Sequence, residues 1–345
     1  MPALSLKVKK PNAEKARKYL SAHQLLDKSY KVFSKDSFIY FPITDAAQVS
    51  PKLLKILGAS VERMRAGRAD RRKTQDYREL LKRSLGTAYD DVAKGYDLLG
   101  NIAIIEAEKR HAKKIASAIM QANKSVKTVI RKNGAVKGVY RRREYEHVAG
   151  VRTFIADYAE NGAKFKFDLR KSFFSTRLAY ERKRIADSSK DGERVIVLFA
   201  GVGPFAVELA KARPASQVVA IEKNKEAYMD MLTNIKINRL KNIAAELGDV
   251  KKYAEKYKGF ADRIIMPLPK DAHHFLETAF RMAGKKCIIH YYAFGNIASA
   301  FEDHKDIIKA AAIRKGRRVR FLKSRMVRTY APDTIEIVID FKVYG

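Results

Sequence analysis

The 345-residue chain has room for two or three domains, and its formal net charge of +33, from 71 Lys and Arg against 38 Asp and Glu, speaks against an ordinary metabolic enzyme. Cys287 is the single cysteine, which excludes an internal disulfide and a cysteine-rich metal site. No signal peptide, lipidation motif or membrane-length apolar run is visible, so we expect a soluble, cytoplasmic protein with no membrane role and with nucleic acid as its partner.

Residues 1–45 read as a small βαββ module. Leu4, Leu6 and Val8 alternate as in a half-buried strand, and Pro11 opens a helix to about Leu26 with Ala13, Ala16, Tyr19 and Leu20 on one face. Tyr30–Phe33 and Phe38–Phe41 follow as two short strands. Residues 46–90 are expected to be helical and strongly basic, carrying Arg63, Arg65, Arg68, Arg71, Arg72, Lys73, Arg78, Lys82 and Arg83. Such a run is either a solvated helix face or a phosphate-binding surface. Further on, Leu98–Ile105 reads as a strand, Ala112–Asn123 as a helix and Val126–Arg131 as a strand, with Val151–Ile155 and Phe165–Leu169 continuing the sheet. Residues 46–170 form the second domain in this reading, and 171–345 the third.

The third domain alternates strands and helices. Strands are expected at Val195–Phe199, Gln217–Ile221, Ile243–Leu247, Arg263–Met266 and Cys287–Tyr292. Val319–Leu322 and Ile335–Phe341 follow with too short a connection for anything but antiparallel pairing. After the first of these strands comes Gly201-Val202-Gly203-Pro204-Phe205, where missing β-carbons let a ligand approach the backbone. Glu222 ends the second strand, where a doubly wound sheet places a carboxylate for a ribose. The glycine loop lacks the third glycine of Gly-x-Gly-x-x-Gly, so no pyrophosphate needs a cradle there. Asp249 follows the third strand, where it could accept from an adenine amino group, and Pro267-Leu268-Pro269-Lys270 follows the fourth.

An α/β sheet closed by a terminal antiparallel hairpin resembles the Rossmann-like domain of class I methyltransferases that use S-adenosylmethionine. More of the chain resembles the archaeal tRNA (guanine-N1)-methyltransferases that act at position 37, next to the anticodon. The likeness rests on Leu6–Lys10, the Arg141–Gly150 segment with Glu144, Glu146, His147 and Ala149, and Phe174-Ser175-Thr176-Arg177-Leu178 with Glu181-Arg182. It extends through Phe199–Phe205, Asp262–Met266, Ile289–Tyr292 and Tyr330-Ala331-Pro332. It implies two smaller α+β RNA-binding domains ahead of the catalytic one, S-adenosyl-L-methionine as cofactor, tRNA as partner, no metal and a monomer.

By that resemblance Glu181 is the general base and Arg141 the contact to guanine O6, the choice among Arg141, Arg142 and Arg143 resting on the likeness itself. Arg177, Arg182, Phe199, Gly201, Gly203, Glu222, Lys223, Asp249, Val250 and Pro267 are implied at the methyl donor, and Phe173, Pro267 and Pro269 at the target base. These roles suit the chemistry, because guanine N1 is a poor nucleophile until its proton leaves. A guanidinium at O6 would steady the charge that develops. Other readings stay open: Glu181 as a helix ion pair, Phe173 and Phe174 as core, His147 and His290 as structural residues. The chain also departs from the family pattern. Pro267 stands where Asn is frequent, Val197 where Asp is common, Thr176 for Pro and Phe173 for Tyr. Losing the amide at Pro267 points to a tricyclic wyosine precursor as alternative or additional acceptor. Aminocarboxypropyl transfer to that precursor, or RNA binding without catalysis, are further alternatives.

Overall fold

The computed structural model describes residues 2–23, 25–27, 29–46, 49–66, 76–137 and 142–345, in two compact units, 1–75 and 76–345. In the first, β1 (Pro2–Lys9) is followed by α1 (Ala13–Ala22), β2 (Phe33–Lys35), β3 (Phe38–Pro42), α2 (Pro51–Leu57) and β4 (Ser60–Arg65). The sheet order is β2-β3-β1-β4. Leu6 and Val8 are fully buried with Ala16 and Leu20 of α1, as the alternation predicts. Residues 46–90 are not continuously helical, however. Ser60–Arg65 alternates as Ser-Val-Glu-Arg-Met-Arg and pairs antiparallel with β1, a period-2 signal hidden by its charge. Arg63 and Arg65 are exposed on this strand; Arg68, Arg71, Arg72 and Lys73 lie outside the described residues. The first short strand also falls later than expected, at Phe33–Lys35.

The second unit opens with α3 (Tyr77–Leu85), β5 (Tyr96–Leu99), β6 (Ile102–Ile105), α4 (Lys109–Ala122), β7 (Thr128–Lys137) and β8 (Arg142–Gly150). The stretch expected as one strand, Leu98–Ile105, is therefore a hairpin turning at Gly100-Asn101. Gly100 takes φ +58, and a β-carbon there would lie 1.7 Å from the Asp157 carbonyl oxygen. Next, β9 (Ile155–Glu160) and β10 (Ala163–Asp168) form a separate two-stranded ribbon rather than continuing the sheet. Its turn is Asn161-Gly162, both at positive φ, the two-residue connection whose twist matches paired strands.

This ribbon is the joint between the two halves of the unit. Phe165 and Phe167 are buried with Ile102, Ile104 and Ile130 of the preceding sheet and with Val202, Val207 and Ala227 from a loop and two helices that pack on the following one. Its free edge is covered by α7 (Lys225–Ile237). Asn234 Oδ1 accepts from the Lys166 amide, and Asn238 Oδ1 from the Lys164 amide.

The remaining elements are α5 (Ala179–Ser188), β11 (Arg194–Leu198), α6 (Pro204–Ala212), β12 (Gln217–Glu222), the α7 already given, β13 (Ile243–Leu247), β14 (Ala261–Met266), α8 (Leu276–Met282), β15 (Ala283–Asn296), α9 (Ala300–Arg314), β16 (Arg318–Ala331) and β17 (Thr334–Tyr344). They build one seven-stranded sheet, β13-β12-β11-β14-β15-β17-β16, parallel except for the antiparallel β17 and its partners. This is the expected α/β architecture with its terminal hairpin. Ile335, Ile337, Ile339 and Phe341 of β17 pack with Phe280 and Ile308, while Val338 joins Phe205, Leu209 and Met231 on the other face. The chain runs outward in both directions from β11 and β14, so a crevice opens at their carboxyl ends. Among the described residues, no helix is long and apolar enough to cross a membrane.

Replacing Gly100 with alanine puts a β-carbon against a backbone carbonyl at a left-handed residue, a cost of about 1–3 kcal/mol. Thermal unfolding of Gly100→Ala should begin several degrees below wild type. An unchanged transition would show that the ribbon does not press on this turn.

Candidate active site

A cavity of about 400 Å³ lies at that crevice. Its wall includes Phe173, Arg182, Phe199, Gly201, Glu222, Lys223, Asp249, Val250, Pro267 and Pro269, ten of the residues marked in the sequence. At one end the glycine loop is fastened by Glu222. Its Oε2 accepts from the Gly201 amide at 2.7 Å and its Oε1 from the Asn224 amide at 2.7 Å. Burial nevertheless pushes this carboxyl above the ordinary carboxylate range. A β-carbon on Gly201 would meet nothing closer than the Phe173 carbonyl oxygen at 3.9 Å, so the missing atom leaves open space. Gly203 has another task. It caps α6 away from the wall, and a β-carbon there would strike Met231 Cγ at 2.8 Å.

Asp249 follows β13. Burial opposes its charge, but the Lys223 ammonium at 2.9 Å and the Lys251 amide at 3.0 Å hold the carboxyl below its usual range. Phe199, Val250 and Phe275 form an apolar slot beside it, Phe199 and Phe275 meeting edge to face at 4.7 Å. Ribose-seeking carboxylate, adenine-sized slot and bare glycine backbone fit a nucleoside sulfonium donor.

Besides Gly203, Arg177 and Glu181 stand off the wall. Arg177 is exposed, with its guanidinium 4.0 Å from Asp97 of β5. Arg141 lies outside the described residues. Glu181 is 1% exposed at the start of α5 and is held by protein groups. Its Oε2 accepts from Arg184 Nη2 at 2.9 Å and from the Tyr292 hydroxyl at 3.0 Å, and Arg325 of β16 pairs with Oε1. Arg184 continues to Asp340 at 2.5 Å, and Asp340 to His290 Nδ1 at 2.7 Å. Since Arg263 donates to His290 Nε2 at 2.6 Å, the imidazole proton sits on Nδ1 and the ring is neutral. Burial also lowers the His290 pKa, consistent with its structural reading. Burial opposes ionisation of Asp340, yet His290 and Arg184 pull its carboxyl down to about 2.

Arg182 does line the cavity, but its Nε and Nη2 are engaged by protein groups. It pairs with Glu160 at 2.6 Å and Glu208 at 3.2 Å, all three side chains at most 5% exposed, and donates to the Ser175 carbonyl oxygen. It also lies 5.0 Å from the Phe174 ring centroid. Arg182 thus fixes the Phe174-Ser175 wall. Phe174 packs with Phe165 and Phe167 and also lines the cavity. Burial first, then the adjoining Glu160 carboxylate, push Glu208 up to about 8.

Sequence reasoning missed Arg328 and Glu336, which also line the cavity and pair with each other at 2.6 Å. The signal was there: two acids four apart, Glu336 and Asp340, share one face of an otherwise apolar strand.

Sheet order, glycine loop and the carboxylate after β12 define a class I methyltransferase fold. The TRM5/TYW2 methyltransferase domain matches residues 156–320, the tRNA methyltransferase 5 N-terminal domain 5–50 and the TYW2 N-terminal domain 77–153. The tRNA (guanine(37)-N(1))-methyltransferase Trm5b of Pyrococcus abyssi is 37% identical over 99% of both chains. Its crystal structure superposes with a TM-score of 0.71 at 35% identity, covering 99% of this chain and 100% of that one. The structure of the aTrm5 complex with tRNALeu gives 0.67 at 30% identity, over 98% and 99%. The tRNA 4-demethylwyosine(37)-methyltransferase Taw21 of Saccharolobus solfataricus is 32% identical over 73% of this chain and 95% of its own. The chain belongs to the TRM5/TYW2 methyltransferase family.

Glu208 also makes stability depend on pH. Between its ordinary value of 4.5 and about 8, the folded state holds a proton that the unfolded state has released. The stabilisation is complete below 4.5 and is lost as pH rises through about 8. Glu208→Gln mimics the protonated acid, so its Tm relative to wild type should climb steadily from about pH 5 to about pH 8. A constant difference would assign the proton elsewhere.

Proposed function

We propose that this chain transfers a methyl group from S-adenosylmethionine to guanine N1 at position 37 of tRNA, acting as a cytoplasmic monomer. The observation that carries this is a single cavity joining Gly201, Glu222 and Asp249 to the Pro267–Pro269 loop at the sheet's switch point. Family membership with guanine(37)-N1 enzymes supports the reaction. When bound, the donor supplies a methyl group on a positively charged sulfur. Glu222 and Asp249 would hold its ribose and adenine, with Phe199 and Val250 against the base. Arg182 keeps Phe174 and Ser175 in place around it. Exposed Arg63 and Arg65 on β4, and Arg78, Lys82 and Arg83 on α3, would meet tRNA phosphates in the two preceding domains.

The N1 proton must leave before N1 can attack carbon. Glu181 is the acceptor in this reading, and Arg325 is its gate. Arg325 lies on the edge strand with its side chain 21% exposed, so a docking phosphate would compete for it. Release of Oε1 would turn a compensated carboxylate into a base as tRNA docks. N1 then bonds the methyl carbon, the carbon–sulfur bond breaks with its electron pair going to sulfur, and the proton stays on Glu181.

A second acceptor, the tricyclic wyosine precursor, is favoured by one observation: Pro267 offers neither amide nor N–H at the cavity. Nucleoside mass spectrometry of tRNA carrying guanosine or the tricycle at position 37, incubated with protein and donor, decides between them. The expected product is N1-methylguanosine. An aminocarboxypropyl adduct, or no product with donor bound, would replace the proposal.

Glu181→Gln keeps shape and loses the proton acceptor. Single-turnover methylation should fall by roughly 10²-fold or more with donor affinity little changed. A near-normal rate at neutral pH would reject the role.

A further inference from the structure

The cavity has a second polar end that the donor does not explain. Glu222 ends β12 and Glu336 begins β17, four strands away across the sheet, roughly 19 Å at about 4.8 Å per strand. Between them stands the Pro267-Leu268-Pro269 loop, whose side chains have no hydrogen-bonding group. Glu336 is 1% exposed and sits directly opposite Arg328 in the β16–β17 register. A register shift between Met326 and Arg328 marks a bulge in β16, a device that re-aims a side chain. Arg328 Nε donates to Glu336 Oε2 at 2.6 Å, and Arg328 keeps 21% of its side chain accessible. Asp271, the other acid at this end, is only half-buried.

A carboxylate in an almost dry wall is costly unless paired, and an apolar residue would serve packing as well. Its neighbours show the alternative, since Ile335 and Ile337 face the opposite core. The pair therefore suits a ligand. The outer edge of guanine presents two adjacent donors, N1–H and the N2 amino group, beside one acceptor, O6. A carboxylate accepts from such donors and a neighbouring guanidinium matches the acceptor.

We propose that Glu336, held by Arg328, reads the N2 amino group of the target guanine and so selects guanosine over its tricyclic derivative. The inference rests on the methyl-transfer reading above and names its acceptor determinant. In a tricycle whose third ring closes across N1 and N2, the two-donor edge no longer exists. Glu336 then keeps its Arg328 pair but gains no donor from the base, and discrimination follows from the hydrogen bond that the tricycle cannot make.

The test removes one substrate atom group without touching the protein fold. Inosine at position 37 keeps N1–H and O6 and lacks only the amino group. Wild-type kcat/KM should fall about tenfold or more from guanosine to inosine, the scale of one hydrogen bond to a charged group. Glu336→Leu should treat the two within about threefold, because leucine offers the amino group no acceptor at all. Donor binding by calorimetry checks that the variant's pocket is intact; should it be lost, the wild-type comparison alone decides. Equal wild-type rates on guanosine and inosine, or the same ratio in both proteins, would overturn the assignment while leaving methyl transfer standing. Methylation of the tricycle alone by wild type would instead overturn the underlying reading, and this assignment with it.

Discussion

A buried row of alternating charge holds the outer half of the catalytic sheet in register. It runs from Glu193 to Arg263, through neutral His290 to Asp340, then to Arg184, Glu181 and Arg325. Three carboxylates face three guanidiniums, so the row is neutral while every member is charged except the imidazole. Removing one partner strands its neighbour in low dielectric, at about 3–5 kcal/mol. The row joins β14, β15, β16 and β17 to α5, beside the apolar cluster of Ile185, Val195, Ile265, Tyr292 and Val338 that spans the same elements. It fixes the hairpin that carries Arg328 and Glu336 and the helix that carries Glu181 and Arg182.

A second buried group, Arg182 with Glu160 and Glu208, does the corresponding work on the inner side. Glu160 comes from the β9–β10 ribbon and Glu208 from α6, so Arg182 ties the ribbon to the wall of the cavity. Burial and the adjoining Glu160 push Glu208 up to about 8, which favours its neutral form beside the single guanidinium. The two arginines that α5 places next to Glu181, at 182 and 184, thus point into different networks. One shapes the Phe174-Ser175 wall, and the other compensates Glu181 itself.

Much of this was legible in the sequence. Every strand expected from residue 195 onward is found, because buried parallel strands read as apolar runs bounded by turns. Glu222 and Asp249 stand where strand ends predict them. Misreadings came where one signal masked another. Charge concealed the alternation of Ser60–Arg65, and a continuous apolar run concealed the Gly100-Asn101 turn. Gly203 was marked for the ligand, although its missing β-carbon makes room for Met231. Of the partners of Glu181, Arg184 is the basic helix neighbour the sequence offered, while Tyr292 and Arg325 could not be read. Arg325 is 144 residues away along the chain, and only the β15-β17-β16 order brings it near.

Register explains why the acceptor end was harder to see than the donor end. The donor end is built from loops at strand termini, whose glycines and acids are local sequence features. Glu336 lies within a strand, and its meaning depends on which way alternate side chains point. A slip of one residue would send Glu336 and Asp340 into the α8–α9 core and bring Ile335 and Ile337 to the cavity. Asp340 prevents that slip, since only one register lets it meet both His290 and Arg184. The buried charge row thereby does more than hold the sheet together. By fixing Asp340 it fixes which face of β17 the cavity receives, and so places a carboxylate where the target base is read.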